Sequence, residues 1–319
     1  MSEKVKKLVI NLLKLAVSVA AIWWVLSRIS FKEVLIVFST ANYWYLLLAF
    51  LFIFISNLLS GFRQNLSFRS IGAHISPVLN LKLFWLGMFY NLFLPGGIGG
   101  DGMKVYLVNK YRQNGVKKNI GAMLVNRVAG LVAIGFLTIG LYFLSGDTFK
   151  IGWPGWLCIP ALYAFYYFVL KYFLKSFVPI HAGLFGWSML LQIMQLISAM
   201  MILYAFNQFT DTSKYLFLFF FSSIATALPI TIGGVGPREI VFLLGAKFLH
   251  LDTELSIALS LMFYSLSAVV SLGGIYWLFF PPFRRETTPA GKSKFTDSAQ
   301  KFNLSVSNAN ETATSAEEI

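Results

Sequence analysis

Two stretches of this chain carry residue types that could hold an anion. The first is Leu94-Pro95-Gly96-Gly97-Ile98-Gly99-Gly100-Asp101-Gly102-Met103-Lys104. The second is Leu228-Pro229-Ile230-Thr231-Ile232-Gly233-Gly234-Val235-Gly236-Pro237-Arg238-Glu239. They align at an offset of 134 positions, with Leu, Pro, Ile, three glycines and a final cation (Lys104 and Arg238) coinciding. Each interrupts an apolar segment that is short on both sides, the pattern that marks binding sites in transporters built from repeats. A chain that turns inside a membrane leaves backbone N–H groups unpaired, which is tolerable only against protein or a water-filled cavity. Glycine permits the turn and lets a ligand approach the backbone. The helix that follows each turn aims its N-terminus at the cavity, where free N–H groups and the dipole favour an anion. Pro237 suits the first helical position and Glu239 the first turn. Phosphate is the natural guest, and the phosphates met in a membrane cavity are mostly those of phospholipids and lipid-linked precursors. The competing reading is that the glycines only let helices pack closely.

Arg127 is the next candidate. It lies eight residues inside an apolar run, roughly 12 Å deep at 1.5 Å per residue. A central Arg costs about 2.5–3.5 kcal/mol on insertion scales, so it should face the bundle interior. It either binds a headgroup phosphate or pairs with Asp101 or Glu239, and the two are compatible. Arg238 and Arg127 are expected to share one cavity, with Lys104 at its rim. Other chemistry is not supported. Gly97–Gly102 fits G-x-G-x-x-G, but no βαβ unit surrounds it. Walker A fails because no Ser or Thr follows Lys104. His74, His181 and His250 are scattered without metal-site spacing. The single cysteine, Cys158, excludes a disulfide framework. No catalytic constellation and no cofactor site stands out.

The elements that must position these residues are membrane helices. The chain is 57% hydrophobic and 12% charged, with a mean hydropathy of +0.70. A soluble fold could not hide that much apolar surface, and several runs reach spanning length. The net charge of +13 is explained by cations that hold cytoplasmic loops inside rather than by nucleic acid. Residues 8–27 are too long for a signal h-region and carry Trp23-Trp24 near their end, so they read as a retained first span. Further spans are expected at 43–60, 119–144, 153–170, 183–206 and 255–280. A polar loop with Arg63, Arg69 and His74 follows the second span. The pairs 83–95 with 102–109, and 215–229 with 237–249, are short for the ~30 Å core and read as hairpins, the alternative being tight pairs of full spans with the same orientation.

The offset extends beyond the glycine turns. Span 119–144 maps onto 253–278, and span 43–60 onto 177–194. The chain therefore reads as an all-α polytopic membrane protein of two repeats, 5–145 and 150–283. Each repeat has three transmembrane helices and one Gly/Pro-broken re-entrant hairpin. Three spans are an odd number, so the repeats should be inverted. With both termini in the cytoplasm, most of the 26 lysines and arginines fall inside. Only Arg28, Lys32, Lys150, Lys214 and Lys247 fall outside. Residues 286–319 read as a disordered cytoplasmic tail.

Three sets of residues carry a resemblance to a known family: Asn91 to Asp101, Arg127 with Gly130, and Leu228 to Glu239. On these the chain resembles the transmembrane, flippase-bearing region of the lysylphosphatidylglycerol synthase family over residues 5–283. Two positions depart from the pattern: Asn126 stands where the family often has an acid before the Arg, and Ser265 where it often has an Arg. The resemblance implies a transmembrane flippase-like domain over 1–285 in the inner (cytoplasmic) membrane. That domain would move or bind an anionic or modified phospholipid or a lipid-linked precursor. The alternative is the membrane part or accessory subunit of a lipid aminoacyl- or glycosyl-transferase. The soluble aminoacyl-transferase domain of the family's large enzymes lies outside the resemblance. Expected partners are membrane phospholipids, and either a second copy of the chain or a separate lipid-modifying enzyme.

Overall fold

A computed structural model describes residues 41–92, 99–145, 153–227 and 237–283. Every described element is a helix. In order these are α1 (Tyr43–Ser70), α2 (Pro77–Asn91), α3 (Gly99–Arg112), α4 (Val116–Leu144), α5 (Cys158–Phe173), α6 (His181–Ala205), α7 (Thr212–Ala227), α8 (Pro237–Phe248), α9 (Thr253–Leu272) and α10 (Ile275–Phe279). Short 3-10 turns at Trp153–Leu157 and Lys175–Ile180 lead into α5 and α6. The expected first span, the tail, and Pro95, Gly96, Gly97, Pro229, Gly233, Gly234 and Gly236 lie outside the described residues.

Five helical stretches are long and apolar enough to cross a membrane: Tyr43–Ser70, Val116–Leu144, Gly155–Phe173, Lys175–Ala205 and Thr253–Phe279. They coincide with the later five expected spans. The four remaining long helices are short. α2, α3, α7 and α8 have 15, 14, 16 and 12 residues. At 1.5 Å per residue each covers about 18–24 Å, less than the ~30 Å hydrocarbon core. Local chemistry fixes several starts. Ser76 accepts from Leu79 N ahead of Pro77 at the first helical position of α2, and Asp252 accepts from Glu254 N and Leu255 N to cap α9.

One expectation is overturned. The polar stretch holding Arg63 and Arg69 is not a loop, because α1 continues to Ser70. Only His74 of that trio lies in the connection. The helix continues because its polar residues face inward. Gln64, Asn65 and Ser67 are buried, and Asn65 donates to the Ile75 carbonyl at 2.9 Å.

The most extensive packing joins α1 to α6. The two run antiparallel: Asn42 N donates to Ala205 O at 2.9 Å, Ser198 Oγ to Ala49 O at 2.9 Å, and Arg63 Nη1 to Ser188 Oγ at 2.8 Å. The rest is arranged around this pair. One core joins Leu46, Ala49 and Ile53 of α1 to α7, α8 and α9, with Phe219, Phe220 and Phe242 at its centre. A second core joins Phe68 near the other end of α1 to α2, α3, α4 and α5. The short pair α2/α3 and the short pair α7/α8 therefore pack toward opposite ends of α1 and α6. Four of these packings have a counterpart at the 134-residue offset. α2 meets α3 as α7 meets α8, α3 meets α4 as α8 meets α9, α1 meets α4 as α6 meets α9, and α2 meets α9 as α7 meets α4.

Candidate functional site

α2 and α3 cross at two glycines. A Cβ on Gly100 would overlap the Gly87 carbonyl oxygen and come 2.6 Å from Asn91 Oδ1. At Gly87 a Cβ would meet Lys104 Cε at 2.6 Å, so the missing side chain makes room for the lysine stem. Close packing is therefore one real use of the first glycine motif. The N-terminus of α3 is also partly occupied, because Gly100 N donates to Asn91 Oδ1 at 2.8 Å.

Asp101 and Lys104, one turn apart on α3, pair at 2.9 Å through Oδ1. Arg127 on α4 reaches the other oxygen, donating to Asp101 Oδ2 from Nε at 2.9 Å and from Nη2 at 2.8 Å. Of the expected partners for Arg127, Asp101 is met here, and the side chain of Glu239 lies outside the described residues. The same carboxylate thus holds two cations from two helices. Their depths are the reverse of expectation. The Lys104 side chain is 6% exposed and that of Arg127 37%, so Lys104 lies inside and Arg127 at the opening. Lys104 is held there by a relay. Its ammonium donates to Gln64 Oε1 at 3.0 Å, Gln64 Nε2 donates to Asn80 Oδ1 at 2.9 Å, and Asn80 Nδ2 donates to Gly61 O at 2.7 Å. The ammonium also lies 5.3 Å from the Phe84 ring centroid. The relay ties the α2/α3 pair to α1.

These residues border a cavity of about 260 Å³ between α1, α2, α3 and α4. Its wall includes Arg63, Asp101, Lys104, Asn126 and Arg127. Three formal cations against one carboxylate leave it net positive. Arg63 escaped the sequence reading, as did Gln64 and Asn80. A signal was present, since Ser56, Ser60, Arg63 and Gln64 recur at helical spacing on one face.

Leu228 to Gly236 of the second glycine motif lie outside the described residues. Arg238 and Glu239 belong to the first turn of α8, and their side chains lie outside the described residues. α8 packs with α7 and α9, the counterpart of α3 with α2 and α4. Among the described residues no three His, Cys, Asp or Glu side chains are grouped as metal ligands.

The comparison with known families agrees with this geometry. A model described as the lysylphosphatidylglycerol synthase TM region matches residues 11–274, which include α1 through α9 and both glycine motifs. No curated protein matches the chain. With more than four-fifths of its length matched, the chain belongs to the lysylphosphatidylglycerol synthase transmembrane-region family.

Proposed function

We propose that the protein moves an anionic or modified phospholipid, or a lipid-linked precursor, across the cytoplasmic membrane. The observation that carries this reading is the cavity within the bundle, net positive among the described residues, where Arg63, Lys104 and Arg127 border it together with Asp101. Charges inside a membrane protein are costly and commonly mark a substrate path. The short α2/α3 and α7/α8 pairs read as re-entrant hairpins, one entering from each side. The antiparallel α1 and α6, equivalent at the 134-residue offset, support an inverted repeat, because inverted repeats require equivalent helices to point in opposite directions. With the lysine-rich ends of α3, α4 and α5 in the cytoplasm, the cavity opens toward the inner leaflet. A cysteine at Lys117 should then label only after the membrane is opened, and one at Thr253 from outside. The opposite pattern rejects the orientation.

Reconstitution with fluorescent lipids tests the function. The purified chain should move anionic lipid between leaflets without a partner protein. Arg127→Gln and Lys104→Gln should each slow it roughly ten- to a hundredfold, the weight of a hydrogen bond to a charged group. Lipid without net charge should be less affected. The family's link to a synthase favours one second reading, an accessory part of a lipid-modifying enzyme. That reading gains if lipid moves, or is modified, only when an enzyme partner is added.

A further inference from the structure

We infer that Arg63 and Asn126 together read the headgroup in this cavity, Arg63 taking a phosphodiester oxygen and Asn126 a hydroxyl or ammonium donor on the same headgroup. This rests on the reading above that the cavity receives a phosphate-bearing ligand. Asp101, Lys104 and Arg127 answer one another's charges. Arg63 does not belong to that set. Its guanidinium donates once, from Nη1 to Ser188 Oγ at 2.8 Å. Its Nε is buried with no partner among the described residues. Gly130 lies beneath it, where a Cβ would stand 3.4 Å from Nη1, so α4 leaves the guanidinium room. A buried charged donor left unpaired is costly, and a ligand oxygen would remove that cost.

Asn126 is the complementary case. The residue is 9% exposed. Its Nδ2 donates to the Ala122 carbonyl at 2.7 Å, which fixes which end of the amide is which. Its Oδ1 is buried and unpartnered. Arg63 and Asn126 border the same cavity of about 260 Å³. That is slightly below the ~300 Å³ floor for drug-sized ligand pockets, so it suits a headgroup and not a whole lipid. A phosphodiester without a donor answers Arg63 and leaves Asn126 unsatisfied. One ending in glycerol, ethanolamine or an amino-acylated glycerol answers both, whereas a choline headgroup has no N–H to offer.

The test measures binding to the full chain in detergent by titration calorimetry. The probes are short-chain phosphatidylglycerol, short-chain phosphatidylmethanol, and free glycerol 3-phosphate. Wild type should bind phosphatidylglycerol about tenfold tighter than phosphatidylmethanol, the discrimination one satisfied hydrogen bond supplies. Asn126→Leu should abolish that preference while leaving phosphatidylmethanol unchanged. Arg63→Gln should weaken both lipids by a similar factor. Asn126→Leu keeps the native branching at Cγ and the same number of side-chain heavy atoms, and carries the test alone if Arg63→Gln does not fold. Sensitivity to Asn126→Leu in the lipid arm assigns the pair to a lipid headgroup. Sensitivity in the glycerol 3-phosphate arm alone assigns it to a soluble phosphate ester, and both results support the pair. No effect of Asn126→Leu in any arm overturns it. Headgroup preference without lipid movement in vesicles would keep the pair and remove transport. Movement of both lipids at equal rates in wild type and Asn126→Leu would do the reverse.

Discussion

Among the described residues, the two halves of this chain share helices and packing but not buried chemistry. At the 134-residue offset α1 to α4 fall on α6 to α9 within a few residues. The polar residues of the cavity do not follow. Arg63 corresponds to Ile197, Gln64 to Ser198, Asn80 to Lys214, Asp101 to Val235, Asn126 to Ser260 and Arg127 to Leu261. Only Lys104, facing Arg238 in the alignment, keeps a cation. Where the first half surrounds a hydrogen-bonded relay, the second half packs Phe219, Phe220, Phe242 and Phe263. What recurs at the offset is helix length, apolar content and helix pairing. Buried charge is costly wherever it occurs, so one such cluster is easier to hold than two.

Breaking that asymmetry should hurt the first half most. Asp101→Ala leaves Lys104 buried beside Arg127 without their shared carboxylate. Removing one partner of a buried pair costs about 3–5 kcal/mol, to be read as a lower unfolding temperature of the detergent-purified chain. A loss below about 1 kcal/mol would mean the cluster is solvated and the contrast between halves overstated. Next come the helix crossings. Gly100→Ala sets a methyl group against the Gly87 backbone carbonyl, whereas Gly245→Ala meets only the Leu218 side chain, which can rotate away. Overpacking of the first kind costs about 1–3 kcal/mol. The second should cost distinctly less, and equal losses would show that both pairs close in the same way. A third contrast uses aligned positions. Asn80→Ala breaks the relay between Gln64 and Gly61 and should cost about 1–3 kcal/mol. Lys214→Ala removes a 2.7 Å ion pair with Asp211 whose carboxylate is 50% exposed, so it should cost about 0–1 kcal/mol. Chemical denaturation of the two variants side by side decides it.

Much of the frame was legible because membrane length is a one-dimensional property. The five described spans and the four short helices follow from counting apolar residues between cations. Asp101, Lys104 and Arg127 were legible as charges where charges are rare. Two things were not. Residues 60–70 have the composition of a loop, and the sequence does not show that their polar face meets Ser188 and Asn80 instead of water. The depth of Lys104 was misjudged because it depends on Gly87 of another helix, α2, leaving space for its stem. Tertiary context decided both, while propensity and periodicity spoke only for single helices.

The bond between Arg63 and Ser188 spans 125 residues of sequence. At ribosomal speeds of about 5–20 residues per second, α1 is made roughly 6–25 s before α6 can meet it. During that interval a guanidinium waits in a nascent membrane segment without its native acceptor. A chain stalled before His181 would therefore present the insertion machinery and membrane proteases with an unpaired charge, and the arrival of α6 is the event that ends that exposure. Maturation of this protein is in that sense timed by its second half.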